Sequence, residues 1–156
     1  MITVRNASAA DIPFVAKTEI ECFHEPWSEK SLSELLEGEN ACFLCAANVK
    51  EDGTEELMGY GSYYYTLDEA FINNIAVSKN FRRCGAGSAI VKALISEARK
   101  KNISALHLEV RESNIPAIEL YSSLGFSIIG VRKNFYPPCG KLPRENALLM
   151  SIFLTS

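Results

Sequence analysis

The spacing of apolar residues changes several times along the chain, and each change predicts a new structural element. Residues 2–5 alternate between apolar and polar, as in a short strand. A helix follows, because apolar positions recur every three or four residues at Ile12, Val15, Ala16, Ile20 and Phe23, with Glu19 among them. Ser28 and Gly38 bracket a second, shorter helix, since serine caps helix starts and glycine commonly ends helices.

The middle of the chain predicts antiparallel strands. Two apolar runs, residues 42–49 and 57–67, flank an Asp-Gly turn, which is a strong signal for a β-hairpin. Gly59 and Gly61 lie inside the second run, where glycine indicates a bend or a close neighbour on the backbone. The run at residues 71–77 follows a short acidic turn, so this strand is expected to pair antiparallel with its predecessor.

The second half of the chain predicts a crossover connection. A long amphipathic helix ending near Lys101 joins the strand at 71–77 to another at 106–111. A short helix follows, with a polar cap at Asn114 and Gly125 at its end. The remaining strands are predicted at residues 126–131 and 147–154, with a proline-bearing loop between them at residues 132–144.

This order of elements predicts an α/β fold with a mixed sheet, in a single domain that spans residues 1–156. Antiparallel strands come first and a crossover helix comes later. At 156 residues and 47% hydrophobic content, the chain can bury one core of good size.

Composition argues against several function classes. Sixteen Lys and Arg against nineteen Asp and Glu leave a net charge of −3, which disfavours nucleic-acid binding and slightly favours a basic partner. The sequence contains no apolar run long enough to span a bilayer and does not begin with a signal-sequence pattern, so a cytoplasmic protein without membrane contact is expected. Five cysteines without a regular framework fit reduced thiols in that compartment.

No metal site is predicted. Cys42 and Cys45 form a Cys-x-x-Cys pair, but both fall in a predicted strand, where residues three apart point to opposite faces and cannot bind one metal. The two cysteines are therefore interpreted as small core residues. The two histidines, His24 and His107, are isolated from other ligand residues along the sequence.

A basic loop with two glycines separates the strand at 71–77 from the long helix. It consists of Arg82, Arg83, Cys84, Gly85, Ala86, Gly87 and Ser88. Glycines let a ligand approach the backbone, and free N–H groups at a helix start point toward anions, so the pattern favours phosphate binding over an ordinary helix entry. A nucleoside-triphosphate loop would need Lys-Ser/Thr after its last glycine, but Gly87 is followed by Ser88 and Ala89. A dinucleotide fingerprint would need a third glycine where Ile90 stands. The loop therefore fits neither motif.

The motifs resemble those of the GNAT superfamily of N-acetyltransferases. The pattern Arg-x-x-Gly-x-Gly at residues 82–87, after Asn-Ile-Ala-Val at residues 74–77, is similar to that family's acetyl-coenzyme A signature. Residues 108–126 and the flanking motifs at 26–30 and 132–137 are similar to the ribosomal-protein-alanine N-acetyltransferase branch. The resemblance runs almost end to end and implies a mostly antiparallel sheet of about seven strands with helices on both faces.

The resemblance also implies acetyl-coenzyme A as cofactor and suggests where it binds. Backbone N–H groups of Ile75, Ala76 and Val77 are expected to polarise the thioester carbonyl, and the loop from Arg82 to Ser88 is expected to hold the pyrophosphate. Asn114 matches the family's cofactor-contacting asparagine, and a helix-capping role would account for it equally well.

Two side chains are candidates for the chemistry. A protein α-amine with a pKa of ~7.7–8.0 is mostly protonated at neutral pH, so acetyl transfer to it needs a base. Glu109 matches the family's base and is expected to act through water; the alternative is a structural ion pair with Arg111. Tyr121 is expected to protonate the leaving thiolate; the alternative is an aromatic side chain that only packs.

The acceptor side rests on the resemblance. Trp27 and Tyr136 lie in segments with which the family lines its peptide groove, and the implied partner is the N-terminus of a basic small-subunit ribosomal protein. Exposed Glu25, Glu29 and Glu34 either attract a basic tail or form a solvated helix face.

Two other functions stay open, namely acetylation of a small-molecule amine and non-catalytic sensing of an acyl-coenzyme A. The groove motifs at both ends of the chain argue against the first, and Glu109 with Tyr121 argues against the second. Lys79, Phe135 and Asn146 stand where the family often has other residues, which leaves acceptor specificity open. A monomer is the default expectation.

Overall fold

The computed structural model describes residues 1–154, with seven strands and four α-helices. The strands are β1 (Ile2–Asn6), β2 (Ala41–Val49), β3 (Glu55–Thr66), β4 (Glu69–Val77), β5 (Ala105–Arg111), β6 (Ser127–Tyr136) and β7 (Glu145–Phe153). The helices are α1 (Ile12–Cys22), α2 (Glu29–Glu37), α3 (Ala86–Lys100) and α4 (Ile115–Ser123).

The strands form one sheet in the order β1-β2-β3-β4-β5-β7-β6. Only β4 and β5 pair parallel, and every other neighbouring pair is antiparallel. The predicted mixed, mostly antiparallel sheet of about seven strands is therefore confirmed.

Helices cover both faces of the sheet, as predicted. α3 and α4 pack on one face, where Ile90 and Leu106 are fully buried in a shared core. α1 and α2 pack on the other face, where Val15 lies in a second core with Tyr60. Among residues 1–154, no helix is both long and apolar enough to cross a membrane.

The two cysteines of the Cys-x-x-Cys pair lie in β2 and point to opposite faces of the sheet. Cys42 belongs to the core beneath α3 and Cys45 to the core beneath α1. Burial raises the pKa of the Cys45 thiol to about 12. Their interpretation as small core residues is confirmed.

Gly61 lets α3 lie close against β3. A Cβ atom at this position would be 2.6 Å from Cγ2 of Ile90 and 3.1 Å from Cδ1 of Leu94. A larger residue would push the helix away from the sheet, because close-packed cores cannot absorb extra atoms without strain. The close neighbour that the sequence indicated at this glycine is therefore α3, the helix that follows the glycine loop.

A bulge interrupts β4. Tyr63 pairs with Ile72 and Gly61 pairs with Ile75, so two steps along β3 face three steps along β4. The extra residue falls at Asn73–Asn74. As a result Ile72 and Ile75 both pack against the core beneath α3, although residues three apart in a regular strand point to opposite faces.

β4 and β5 stay paired over only a short distance. The parallel register covers Glu69–Phe71 against Ala105–His107. Beyond Phe71, β4 remains paired with β3 and β5 remains paired with β7, but the two strands no longer pair with each other. They therefore diverge, and each leaves one edge of its backbone without a strand partner.

The predicted loop at residues 132–144 is wrong in its first part, because Arg132–Tyr136 belong to β6. β6 is the edge strand of the sheet, and its residues are mostly exposed. Its pairing with β7 is irregular between Arg132 and Tyr136, and Asn134 has a φ of 54°. An exposed, irregular edge strand lacks the apolar alternation by which strands are recognised in a sequence.

Candidate active site

A cleft of about 1000 Å³ opens where β4 and β5 diverge. Ile72, Ile75 and Tyr121 line it and pack against the core beneath α3. Glu109 and Tyr136 also line it, and Glu109 alternates onto the opposite face of β5. The cleft therefore passes through the sheet and is accessible from both faces.

The glycine loop ends where α3 begins. Gly85 has a φ of 87° and caps the helix, and no atom lies within 4 Å of the position that its Cβ would take. The first N–H groups of this 15-residue helix have no intrahelical partner, and the exposed Arg82 and Arg83 precede the cap in the sequence. The positive end of the helix dipole and two guanidinium groups suit a phosphate.

Gly87 brings the start of α3 close to the end of β4. A Cβ here would be 3.3 Å from Cδ2 of Leu120 and 3.8 Å from Cγ2 of Val77. The segment Ile75–Val77 therefore connects the cleft, which Ile75 lines, to the glycine loop. Ala76, Val77 and the loop from Arg82 to Ser88 lie outside the lining of the cleft itself.

Glu109 projects into the cleft, and its side chain is 32% exposed. The alternative ion pair with Arg111 is not formed, because Arg111 donates to Oε1 of Glu145 at 3.0 Å instead. The only cation paired with Glu109 among residues 1–154 is Arg132, with Nη1 at 3.7 Å from Oε1. An ion pair between exposed side chains at this distance contributes little, so the carboxylate remains available.

Tyr121 lies on α4 with its ring centroid 5.8 Å from that of Phe126. Its hydroxyl group has no hydrogen-bond partner within the described part of the chain, and the residue lines the cleft. Burial, and to a smaller extent Tyr136, raises the pKa of Tyr121 to about 12. The phenol therefore keeps its proton throughout the neutral range.

Tyr136 is held at the cleft by Arg111, whose guanidinium carbon lies 4.2 Å from the ring centroid. Glu145 orients this arginine and also accepts the Ser113 N–H at 2.9 Å. Hydrogen bonds from Ser113 and Arg111 hold the pKa of Glu145 below its usual value. Burial and the charge of Glu109 raise the pKa of Tyr136, and both side chains line the cleft.

The remaining two predicted site residues are placed differently. Asn114 lines the cleft and also caps α4, since its side chain accepts the Ala117 N–H at 3.3 Å. Trp27 does not line the cleft; it borders a separate surface pocket with Pro26, Ser28 and Ser31 and packs against the core beneath α1.

Glu19 is a polar residue that the sequence analysis left without a role. It is 0% exposed, and its carboxylate accepts hydrogen bonds from the Trp27 N–H at 2.9 Å, from Nδ2 of Asn74 at 3.0 Å and from the Tyr60 hydroxyl. Burial raises the pKa of Glu19. The signal was present in the helical spacing, because Glu19 stands four residues after buried Val15, whereas Ile20 is 70% exposed.

Two further side chains in the cleft were not predicted. Sγ of Cys22 lies 3.6 Å from Nη2 of Arg82. His107 contacts Oγ of Ser151 through Nδ1 at 2.6 Å and Oε1 of Glu69 through Nε2 at 3.0 Å. Within residues 1–154, no three His, Cys, Asp or Glu side chains are grouped so that they could hold a metal ion.

Comparison with known proteins identifies the family of this site. The sequence profile of the Acetyltransferase (GNAT) family matches residues 12–126. The chain belongs to the GNAT family of acetyltransferases.

Relatives in this family match the chain over most of its length. The ribosomal protein bS18-alanine N-acetyltransferase of Escherichia coli (strain K12) is 34% identical over 97% of both chains. The protein of the same name from Haemophilus ducreyi is 38% identical over 83% of this chain and 84% of its own. The crystal structure of the Escherichia coli enzyme matches with a TM-score of 0.86 at 33% identity, covering 100% of this chain and 96% of that one.

Acetyl-coenzyme A is the acetyl donor of GNAT acetyltransferases, and the residues of this chain fit it. The open space at Gly85 and the unpaired N–H groups at the start of α3 suit a pyrophosphate. The edge of β4 beyond Phe71 lacks a strand partner on the side of the cleft, so its backbone groups are available to an extended, amide-containing arm.

We expect Gly85→Ala to weaken acetyl-coenzyme A binding by about 5- to 30-fold, because the left-handed conformation costs an L residue ~1–2 kcal/mol. The loop would relieve that strain by leaving its binding conformation, and binding would have to restore it. Isothermal titration calorimetry measures the change. Gly140→Ala is the matched control, since Gly140 also has a positive φ and open space around it, in the β6–β7 connection. Equal losses in both variants would contradict the assignment.

Proposed function

We propose that this protein acetylates the N-terminal α-amine of alanine on ribosomal protein bS18. The observation that carries the proposal is the cleft through the sheet, which is lined by Glu109 and by Tyr121. The relatives that bear this activity in their names match the chain over nearly its full length at 34% identity, which supports the choice of acceptor.

The donor site lies on the α3 side of the cleft. The backbone of the loop from Arg82 to Ser88 would hold the pyrophosphate at the start of α3, and Asn114 would contact the donor from the start of α4. When bound, acetyl-coenzyme A supplies an activated thioester. N–H groups on the free edge of Ile75–Val77 would donate hydrogen bonds to its carbonyl oxygen.

Glu109 is the general base. The attacking amine becomes positively charged as its bond to carbon forms, and the carboxylate accepts the proton that this amine loses, directly or through one water molecule. The α-amine has a pKa of ~7.7–8.0 and is mostly protonated at neutral pH. Glu109 accepts the proton more readily once the attack has made the amine nitrogen acidic.

Tyr121 stabilises the leaving thiolate with its hydroxyl proton. With a pKa of about 12, this phenol is fully protonated and is a weaker acid than a typical thiol at ~8.5. Its first contribution is therefore a hydrogen bond to the developing negative charge on sulfur. Net transfer of this proton to sulfur is uphill because the thiol is the stronger acid, so it is completed only when water returns a proton to the phenolate.

The acceptor enters from the face opposite α3, where Tyr136 lines the cleft beside Arg111 and Glu109. Trp27 contributes through the segment between α1 and α2 rather than through the cleft lining. The net charge of −3 favours a basic acceptor chain over nucleic acid or an anionic membrane surface. We place the reaction in the cytoplasm and describe the active species as a monomer.

A peptide panel tests the proposal. Basic peptides that begin with Ala, Ser, Met or N-acetyl-Ala, together with spermidine, are incubated with acetyl-coenzyme A while free thiol is measured. We expect fast turnover of the Ala peptide and none of its acetylated form. Turnover of spermidine alone would overturn the proposal in favour of a small-amine acetyltransferase, and binding of acetyl-coenzyme A without any turnover would indicate a sensor.

Glu109→Gln is expected to lower kcat on the Ala peptide at pH 7 by ~100-fold, within the range of lost general-base catalysis. The loss should shrink toward pH 9, because the fraction of neutral α-amine rises as pH passes ~8. Steady-state kinetics at several pH values measure both effects. Glu112→Gln, an exposed neighbour, is the control and should remain near wild type. An unchanged rate at pH 7 would remove Glu109 from the mechanism.

Tyr121→Phe is expected to lower kcat by ~10- to 100-fold, because a hydrogen bond to a developing charge is lost. The affinity for acetyl-coenzyme A should stay within about threefold, since the ring that packs beside Phe126 is kept. The Tyr121 hydroxyl loses its proton only near pH 12, so wild-type kcat should show no decline from this group below pH 10. Tyr65→Phe is the control for removing a hydroxyl away from the cleft. Full turnover of folded Tyr121→Phe would assign the acid to another group.

A further inference from the structure

Glu19 connects three separate segments of the fold. It lies on α1, and its carboxylate accepts hydrogen bonds from the segment between α1 and α2, from β3 and from β4. The donors are the backbone N–H of Trp27, the hydroxyl of Tyr60 and Nδ2 of Asn74, which lies 3.1 Å from Oε1 and 3.0 Å from Oε2. The Trp27 N–H also bonds to Oε1, at 2.9 Å.

The carboxylate is fully buried, and neutral groups satisfy it. No Lys, Arg or His side chain pairs with Glu19 in the described part of the chain. A buried carboxylate is costly unless donors surround it, so its position is fixed by the geometry of these three groups. Removal of the carboxylate would leave the Trp27 N–H and the Asn74 amide without their partner.

On the donor side, Glu19 holds the bulge of β4. Asn74 is one of the two residues at the extra position in this strand, and Glu19 is the partner of its side-chain amide. The bulge ends at Asn74, and regular pairing resumes at Ile75. Ile75 is the first residue of the segment whose free edge faces the cleft. A shift of Asn74 would therefore move the backbone of Ile75–Val77 relative to the glycine loop.

On the acceptor side, Glu19 holds the connection between α1 and α2. Trp27 follows Pro26, and its backbone N–H bonds directly to Oε1. The preceding residues Cys22 and Phe23 line the cleft. The same oxygen atom thus contacts the bulge of β4 and a segment that adjoins the acceptor side.

We infer that Glu19 is a positioning residue that couples the donor and acceptor sides of the cleft through its hydrogen bonds to Asn74 and Trp27. Glu19 itself does not line the cleft. The inference rests on the proposed function only for the choice of the peptide used as acceptor.

The test compares three variants of the full chain. Glu19→Leu has a similar volume but removes both contacts, so the Kd of acetyl-coenzyme A and the KM of the Ala peptide should each rise about tenfold. Glu19→Gln retains one oxygen for Trp27 and Asn74, and its amide can donate to the Tyr60 oxygen; both constants should stay within threefold of wild type. Tyr60→Phe keeps the contacts to Trp27 and Asn74, and both constants should stay within twofold.

Calorimetry with acetyl-coenzyme A alone gives the Kd, and steady-state kinetics with the peptide give the KM. Both are measured at a temperature below the Tm of every variant. Folded Glu19→Leu with both constants unchanged would overturn the inference, as would an equal loss in Tyr60→Phe.

If Glu19→Leu does not fold, Asn74→Ala replaces it. That variant should weaken acetyl-coenzyme A binding about tenfold with a smaller change in peptide KM, and unchanged binding would overturn the inference. Wild-type protein that binds acetyl-coenzyme A but acetylates no peptide would refute the proposed acceptor and still leave the calorimetric test of Glu19 valid.

Discussion

The short pairing between β4 and β5 is the constraint on which the active site depends. After Phe71 the two strands separate. An otherwise continuous sheet therefore has an opening, and the backbone on both sides of it lacks a strand partner. β4 stays packed against α3 after it diverges from β5. The bulge at Asn73–Asn74 allows this, because it directs both Ile72 and Ile75 into the same core. Gly61 brings α3 close to the sheet, and Gly87 brings the start of that helix next to Val77 at the end of β4.

Two carboxylates beside this opening serve different ends because their surroundings differ. Glu19 is enclosed by three neutral donors and contributes geometry. Glu109 projects into the cleft, where its nearest cation is the exposed Arg132 at 3.7 Å, and its carboxylate remains accessible from the cleft. Arg111, the cation beside it on the same strand face, is occupied by Glu145 and the ring of Tyr136. Glu19 therefore has its oxygen atoms occupied by neutral donors, whereas the nearest cation on the strand of Glu109 is engaged elsewhere and leaves that carboxylate exposed to the cleft.

The sequence predicted most of the fold because hydrophobic spacing is local information. The hairpin of β2 and β3, the helix after the glycine loop and the cap at Asn114 all follow from neighbouring residues. The end of β6 was missed because an exposed edge strand buries too little to leave a pattern. The bulge in β4 and the role of Glu19 depend on partners up to 55 residues away in the chain, which no local pattern contains. Asn74 in an apolar strand and Glu19 in an apolar stripe were the visible traces of that contact.

The same three-residue pairing joins the two parts of the sheet. Strands β1 to β4 form one ladder and β5 to β7 another, and between them lie only the pairs of Glu69–Phe71 with Ala105–His107. Beyond these pairs, the two ladders are joined through side chains of both that belong to one core beneath α3 and α4. We therefore expect local opening to cost least at this three-residue pairing, and amide hydrogens along it to exchange with solvent before those inside either ladder. A donor molecule bound across the opening would contact both ladders. Its binding would therefore also make the sheet more rigid.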